Sequence, residues 1–292
     1  MITRVIVDKL KIWKPGVSWE EAETRWDAQA THLRHTQPIK GLDKLPKMPG
    51  ITAETAKGLK WKSIKYLLLH DPTRIFPRYF FKHPLKYTKR WIKSALKSSS
   101  YKRSGDFFFY GIDNTEAFQK LLEQEHSLFI IGFSYCHKPF ECPSGRFSAE
   151  CIHDPSHPVC GQCFIGKAVN ALPLHNAQIL PLFIPTIHYI GEKMFEIAEA
   201  NPDKKITFLI TACEMTLEMF GDWGNMVGAK GIGVRLDGRI CNTMKAFELS
   251  EIGIKPGLTT LSKEADSLIT RSLKIWHFTQ KAPTNHGFFA DV

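Results

Sequence analysis

Four short apolar runs, SLFIIGF (127–133), QILPLFIP (178–185), KKITFLITA (204–212) and KGIGVRL (230–236), constrain this chain more than any other feature. Each is the length of a buried strand. Between them lie segments with helical spacing over 186–202 and 214–223, and the stretch 114–126 reads as a further short helix. Strands alternating with helices predict an α/β fold with a mostly parallel sheet and helices on its faces. With 43% hydrophobic residues, the 292-residue chain can bury an ordinary core. A C-terminal helix is expected over 259–280.

The seven cysteines are ordered around these runs. Cys136, Cys142, Cys151, Cys160 and Cys163 fall within 28 residues, and Cys213 and Cys241 each follow a predicted strand closely. Ligands of open α/β sheets bind beyond the carboxyl ends of the strands, so Cys136, Cys213 and Cys241 are expected to meet at one crest, with the Cys-rich loop leaving from it. Cys160-Gly-Gln-Cys163 is a C-x-x-C pair at a predicted helix start, where thiolates are favoured. Thiolates are soft ligands that select iron–sulfur clusters, zinc or copper(I). Structural zinc prefers two tight pairs, whereas the irregular spacing here suits a [4Fe–4S] cubane better. The expected metal ligands are Cys142, Cys151, Cys160 and Cys163, with Cys136, Cys213 and Cys241 as further cofactor-binding candidates. Seven cysteines exceed the needs of one cluster, which leaves room for two; zinc is the alternative metal. Arg146, Glu150, Glu214, Arg235, Asp237 and Arg239 are candidates for lining the site. His153 or His157 could replace a thiolate or support one from behind.

Charge divides the chain. Residues 1–106 hold 23 Lys and Arg against 9 Asp and Glu, and the remainder holds 16 against 20. Three regions are expected: a basic, mainly helical N-terminal region (1–104), a cysteine-rich α/β domain (105–258), and a C-terminal helix and tail (259–292). Helices are predicted over 19–35, after a Ser18/Glu21 capping box, and over 52–70, with a Pro/Gly-punctuated linker at 38–50. From Pro84 on, Lys86, Lys89, Arg90, Lys93 and Lys97 are expected on one helix face, with Leu85, Ile92 and Leu96 opposite. The basic region 57–103 suits a redox enzyme or complex as protein partner, or peripheral contact with a membrane; no nucleic-acid motif accompanies the charge. The opening residues contain no signal-peptide-like run and no segment reads as a spanning helix, so the expected location is cytoplasmic, or peripheral at the membrane.

The runs CPSGRFSAECI, CGQCFIG, ITACEMTL and KGIGVRLDGRICNT together resemble a bacterial and archaeal family known as domain of unknown function 116. The matching positions are Cys142, Pro143, Arg146, Cys151, Cys160, Gly161, Cys163, Ala212, Cys213, Gly233, Val234, Leu236, Cys241, Asn242 and Thr243, within about 136–250. The chain departs from the pattern where Arg239-Ile240 stand between Gly238 and Cys241, and Cys136 has no counterpart in it. The resemblance implies a metal or iron site without implying a reaction. Together these features predict an iron–sulfur redox or electron-transfer protein acting with a partner enzyme. The alternatives are a cluster- or thiol-dependent enzyme with its site at the strand ends, and a zinc module attaching to nucleic acid or membrane. No nucleotide-binding fingerprint or Walker A loop is present.

Overall fold

A computed structural model describes residues 50–72, 74–95, 101–124, 127–172, 178–255 and 257–279, together with Glu21, Thr24, Arg25 and Ala28. The helix expected over 19–35 and the linker at 38–50 therefore fall almost wholly outside the described residues. A six-stranded sheet forms the centre: β1 (Lys102–Ser104), β2 (Phe107–Tyr110), β3 (Ser127–Ser134), β4 (Ile179–Ile184), β5 (Lys205–Ala212) and β6 (Lys230–Arg235), in the order β1-β2-β6-β5-β3-β4. All four apolar runs are strands, and β6-β5-β3-β4 pair in parallel as expected. The antiparallel hairpin β1–β2 extends the β6 edge. Its signal in the sequence is the Phe-rich run after Ser104-Gly105-Asp106, which the helix–strand alternation does not reach. A short antiparallel pair, β7 (Asp237–Gly238) with β8 (Thr259–Thr260), follows β6.

Side chains alternate across the sheet with the two-residue period of a strand. Phe108, Tyr110, Ile130, Phe208, Ile210 and Ala212 share one core with the helices between Ala53 and Ala95, Ile187–Ala200 and Glu214–Val227. Phe107, Phe109, Phe129, Ile131, Phe133 and Leu209 share the other with helices Thr115–Leu122, Phe164–Asn170 and Lys263–Thr279. Fully burying such a side chain contributes roughly 1.5–3 kcal/mol. The basic helices are thus built into the first core through Leu59, Tyr66, Leu67 and Tyr87.

Two helical expectations need correction. The helix over 52–70 is broken into Ala53–Ala56 and Leu59–Leu69, because Gly58 takes the left-handed conformation (φ 70°) that ends the first piece. In helix Pro84–Ala95, Lys89 shares an exposed stripe with Leu85 and Ile92 instead of lying opposite them; Tyr87 is the buried residue, and Arg90 donates to the carbonyls of Met226 and Val227 at the end of helix Glu214–Val227. Aromatic area and a guanidinium capping unpaired carbonyls outweigh the apolar periodicity. Leu96, Lys97 and the Lys93 side chain lie outside the described residues.

The order of the parallel strands places the crest. From β3 the chain crosses to β4 on one side, and then to β5 and β6 on the other. The helix Phe164–Asn170 belongs to one face, and Ile187–Ala200 and Glu214–Val227 to the other. The direction of winding reverses between β3 and β5, which is where open α/β sheets form a crevice. Cys136 and Cys213 flank that point. No helix among the described residues is long and apolar enough to cross a membrane.

Candidate metal centre and a second thiol group

All seven thiols are free, and they form two groups. Cys142, Cys151, Cys160 and Cys163 line one cavity in the loop that follows β3. Turns build this loop: Gly145 N–H donates to the Cys142 carbonyl (2.9 Å), and Cys163 N–H donates to the Val159 and Cys160 carbonyls. Cys163 is the N-cap of helix Phe164–Asn170, as the C-x-x-C spacing predicts. Gly166 has a packing reason to be glycine, because a Cβ there would lie 2.6 Å from the Cys160 carbonyl oxygen and push the C-x-x-C turn off its helix.

Burial raises the thiol pKa values of Cys151, Cys160 and Cys163. Backbone N–H groups oppose it, from His153 toward Cys151, from Asp154 toward Cys160, and from Gly166 and Ile165 toward Cys163. Donors aimed at sulfur are what an anionic thiolate or a metal-bound sulfur requires. Lys138 also lines the cavity and is buried. Its Nζ donates to the carbonyls of Ser148 (2.9 Å) and Glu150 (2.6 Å), which folds the loop around it. Burial lowers the Lys138 pKa, while Cys142, Cys151 and Cys163 pull it back up. Among the described residues no three of His, Cys, Asp and Glu meet closely enough to hold a single ion.

Cys136, Cys213 and Cys241 gather separately at the strand ends and are all buried. The expected single crest is thus two neighbouring thiol groups. Arg239-Ile240, the departure from the family pattern, does not carry Cys241 away, because Ile240 sinks into the core and its N–H closes a tight turn onto the Gly238 carbonyl (2.8 Å). Lys255 Nζ donates to Cys241 Sγ at 3.4 Å, and Cys213 Sγ lies 3.1 Å from the Thr216 hydroxyl. Hydrogen bonding to Cys213, aided by Lys255, lowers the Cys241 pKa to about 5 despite its burial. The same Cys213–Cys241 hydrogen bond, then burial, pushes Cys213 up. Burial works against the Lys255 charge, but Cys136, Cys241 and Cys213 outweigh it and raise the Lys255 pKa. Two buried sulfurs in hydrogen-bond contact thus lie beside an ammonium, with Cys241 the one favoured as thiolate. Nearby Glu251 accepts from the Ile187 N–H (2.9 Å), and burial raises its pKa to about 8.

Arg146 joins the groups. Its guanidinium donates to the carbonyls of Cys136 (3.2 Å), Lys138 (3.1 Å), Lys255 (2.7 Å) and Gly257 (2.6 Å), fastening the loop to the segment that bears Lys255. The other charged candidates have structural partners. Arg235 pairs with Asp106 and Asp237, and Glu214 with Arg103, all buried where the hairpin meets β5 and β6. The Glu150 carbonyl, not its carboxylate, meets Lys138. His153 Nδ1 is held 2.8 Å from the Asn170 side chain, and His157 Nδ1 accepts from the Val159 N–H (3.2 Å), so both rings brace the loop. His137 stacks on Phe164, and burial lowers its pKa to about 4. Sequence reasoning missed Lys138, Lys255 and Glu251. Lys138 carried a faint signal, as a lone cation between two cysteines; Lys255 and Glu251 carried none, because only the fold brings them to the strand ends.

Compared with protein-family models, with curated proteins and with solved structures, the chain matches none.

Proposed function

We propose that the chain is an iron–sulfur protein in which Cys142, Cys151, Cys160 and Cys163 hold a [4Fe–4S] cluster, and that it passes electrons to and from a partner protein. The observation that carries this reading is the convergence of four cysteines on one cavity beside the buried Lys138. The irregular spacing of the four cysteines along the chain suits a polynuclear cluster better than a single zinc. When bound, the cluster supplies one-electron redox chemistry. The chain's own residues set its surroundings: the N–H groups of Gly166 and Ile165 stabilise charge on Cys163, Lys138 offsets negative charge, and Arg146 holds the loop on the strand ends. The sequence motifs that resemble domain of unknown function 116 fall on both thiol groups.

Anaerobic purification with iron, sulfide and EPR analysis tests the proposal. The expected result is a brown protein with about four iron and four sulfide per chain, from which Cys160→Ala or Cys163→Ala removes most of the iron. A colourless protein carrying zinc, or full iron content in both variants, overturns it.

A second reading, a thiol-dependent enzyme at the strand ends, is favoured by the Cys213–Cys241–Lys255 group. Its position at the reversal of winding is where ligands of such sheets bind. In that case a substrate protects Cys241 from alkylation, or perturbs the EPR spectrum, and Cys241→Ser abolishes turnover while retaining iron. If no ligand does either, this reading fails.

A further inference from the structure

Two helices of the basic region carry the same stripe. In Leu59–Leu69 it is Trp61, Lys65 and Leu68; in Pro84–Ala95 it is Leu85, Lys89 and Ile92. The spacing i, i+4, i+7 gathers such side chains within roughly 60° of a helix circumference. Both stripes face away from the protein: Trp61 is 76% exposed and Leu85 87%, while Leu59, Tyr66, Leu67 and Tyr87 turn inward. Leu69 and Phe81 are exposed as well. Of the ten large apolar side chains exposed among the described residues, six therefore lie between positions 61 and 92.

The charge around them is one-sided. Residues 51–95 contain eleven Lys and Arg against Glu54 and Asp71 alone. Part of this charge is used internally, since Lys82 pairs with Glu199, Arg78 with Glu192, and Arg90 caps a helix. Lys65, Lys86 and Lys89 stay exposed between the apolar side chains.

We propose that this face docks on the surface of a bilayer containing anionic phospholipid, with the apolar side chains entering the headgroup boundary and the lysines meeting lipid phosphates and carboxylates. Protein interfaces are depleted in lysine, and no nucleic-acid-binding motif accompanies this charge. Lysine interleaved with Trp, Phe and Leu is the composition of helices lying in a membrane interface. Lysine stems can lie along the apolar stripe while their ammonium groups reach the headgroups. Each basic side chain near an anionic bilayer adds to the attraction, and salt screens it.

The test is co-sedimentation of the full-length protein with phosphatidylcholine vesicles, with and without phosphatidylserine. Binding is expected only with phosphatidylserine, and to weaken with salt. K65E/K89E is expected to bind more than about tenfold more weakly, and L85S/I92S to lose binding as well. Because these positions are exposed, both variants should keep the unfolding midpoint and iron content of the wild type, which separates this test from that of the cluster. Equal sedimentation with both vesicle types, or unchanged binding by either variant, overturns the proposal. So does a wild-type dimer in the ultracentrifuge that L85S/I92S converts to monomer, since the face would then pair with a second copy of the chain.

Discussion

The two thiol groups are neighbours made for different chemistry, and their surroundings set them apart. Around the cavity, Cys142, Cys151 and Cys163 are only partly buried, backbone N–H groups point at the sulfurs, and Lys138 spends its hydrogen bonds on carbonyls. At the strand ends Cys136, Cys213 and Cys241 are buried, and Lys255 donates directly to a sulfur. In the first arrangement burial favours the protonated thiols of Cys151, Cys160 and Cys163, and Lys138 makes its hydrogen bonds to carbonyls rather than to a sulfur. In the second, the ammonium of Lys255 meets a sulfur directly. Identical side chains within one small region thus meet different surroundings according to what the backbone and two lysines offer them.

The strongest challenge to this division is a paired loss of iron. Cys163→Ser is expected to strip nearly all the iron and Cys213→Ser to leave it in place; equal loss in both would merge the groups into one centre. Next in size is Arg146→Ala, which takes the guanidinium from four carbonyls, of which that of Cys136 keeps the Thr259 hydroxyl. A loss of about 2–4 kcal/mol in chemical unfolding is expected, with Arg146→Lys restoring only part because an ammonium cannot span the four acceptors. An unchanged midpoint would mean the two groups are not fastened together through this side chain.

The smallest effect concerns Lys255 and the proton. The Cys241 pKa of about 5 lies below that of an ordinary thiol. The folded state therefore binds the Cys241 proton less readily than the unfolded chain does. The stability from this contact is complete above the ordinary thiol pKa and is lost as pH falls through about 5. The ultraviolet thiolate absorbance that Cys241→Ser removes should therefore titrate near pH 5. Lys255→Met should move that step upward by about one unit or more. A step that stays in place would show that Cys213 alone holds the thiolate.

Local pattern made much of this legible in the sequence. The β-strand runs are apolar throughout because helices cover both faces of a parallel sheet, and the C-x-x-C helix start is a local event between Val159 and Gly166. The gathering of Cys136, Cys213 and Cys241 also followed from strand ends alone. What did not follow was the separation into two groups, because it depends on Lys138, Arg146 and Lys255, whose hydrogen bonds span up to 111 residues. The exposed Leu85 and Ile92 misled for a related reason: apolar spacing predicts a buried face only when nothing larger competes for the core, and here Tyr87 does.

The two edges of the sheet have a consequence for how the protein survives at high concentration. One edge is β1, only three residues long, and the other is β4, which carries Pro181. An unpaired strand edge invites a second chain to continue the sheet, and short strands or a residue without an N–H are the usual obstacles to such growth. Pro181→Val would give β4 an unbroken, strongly β-prone run of apolar residues at an open edge. Both ends of the sheet thus carry a local obstacle to such growth.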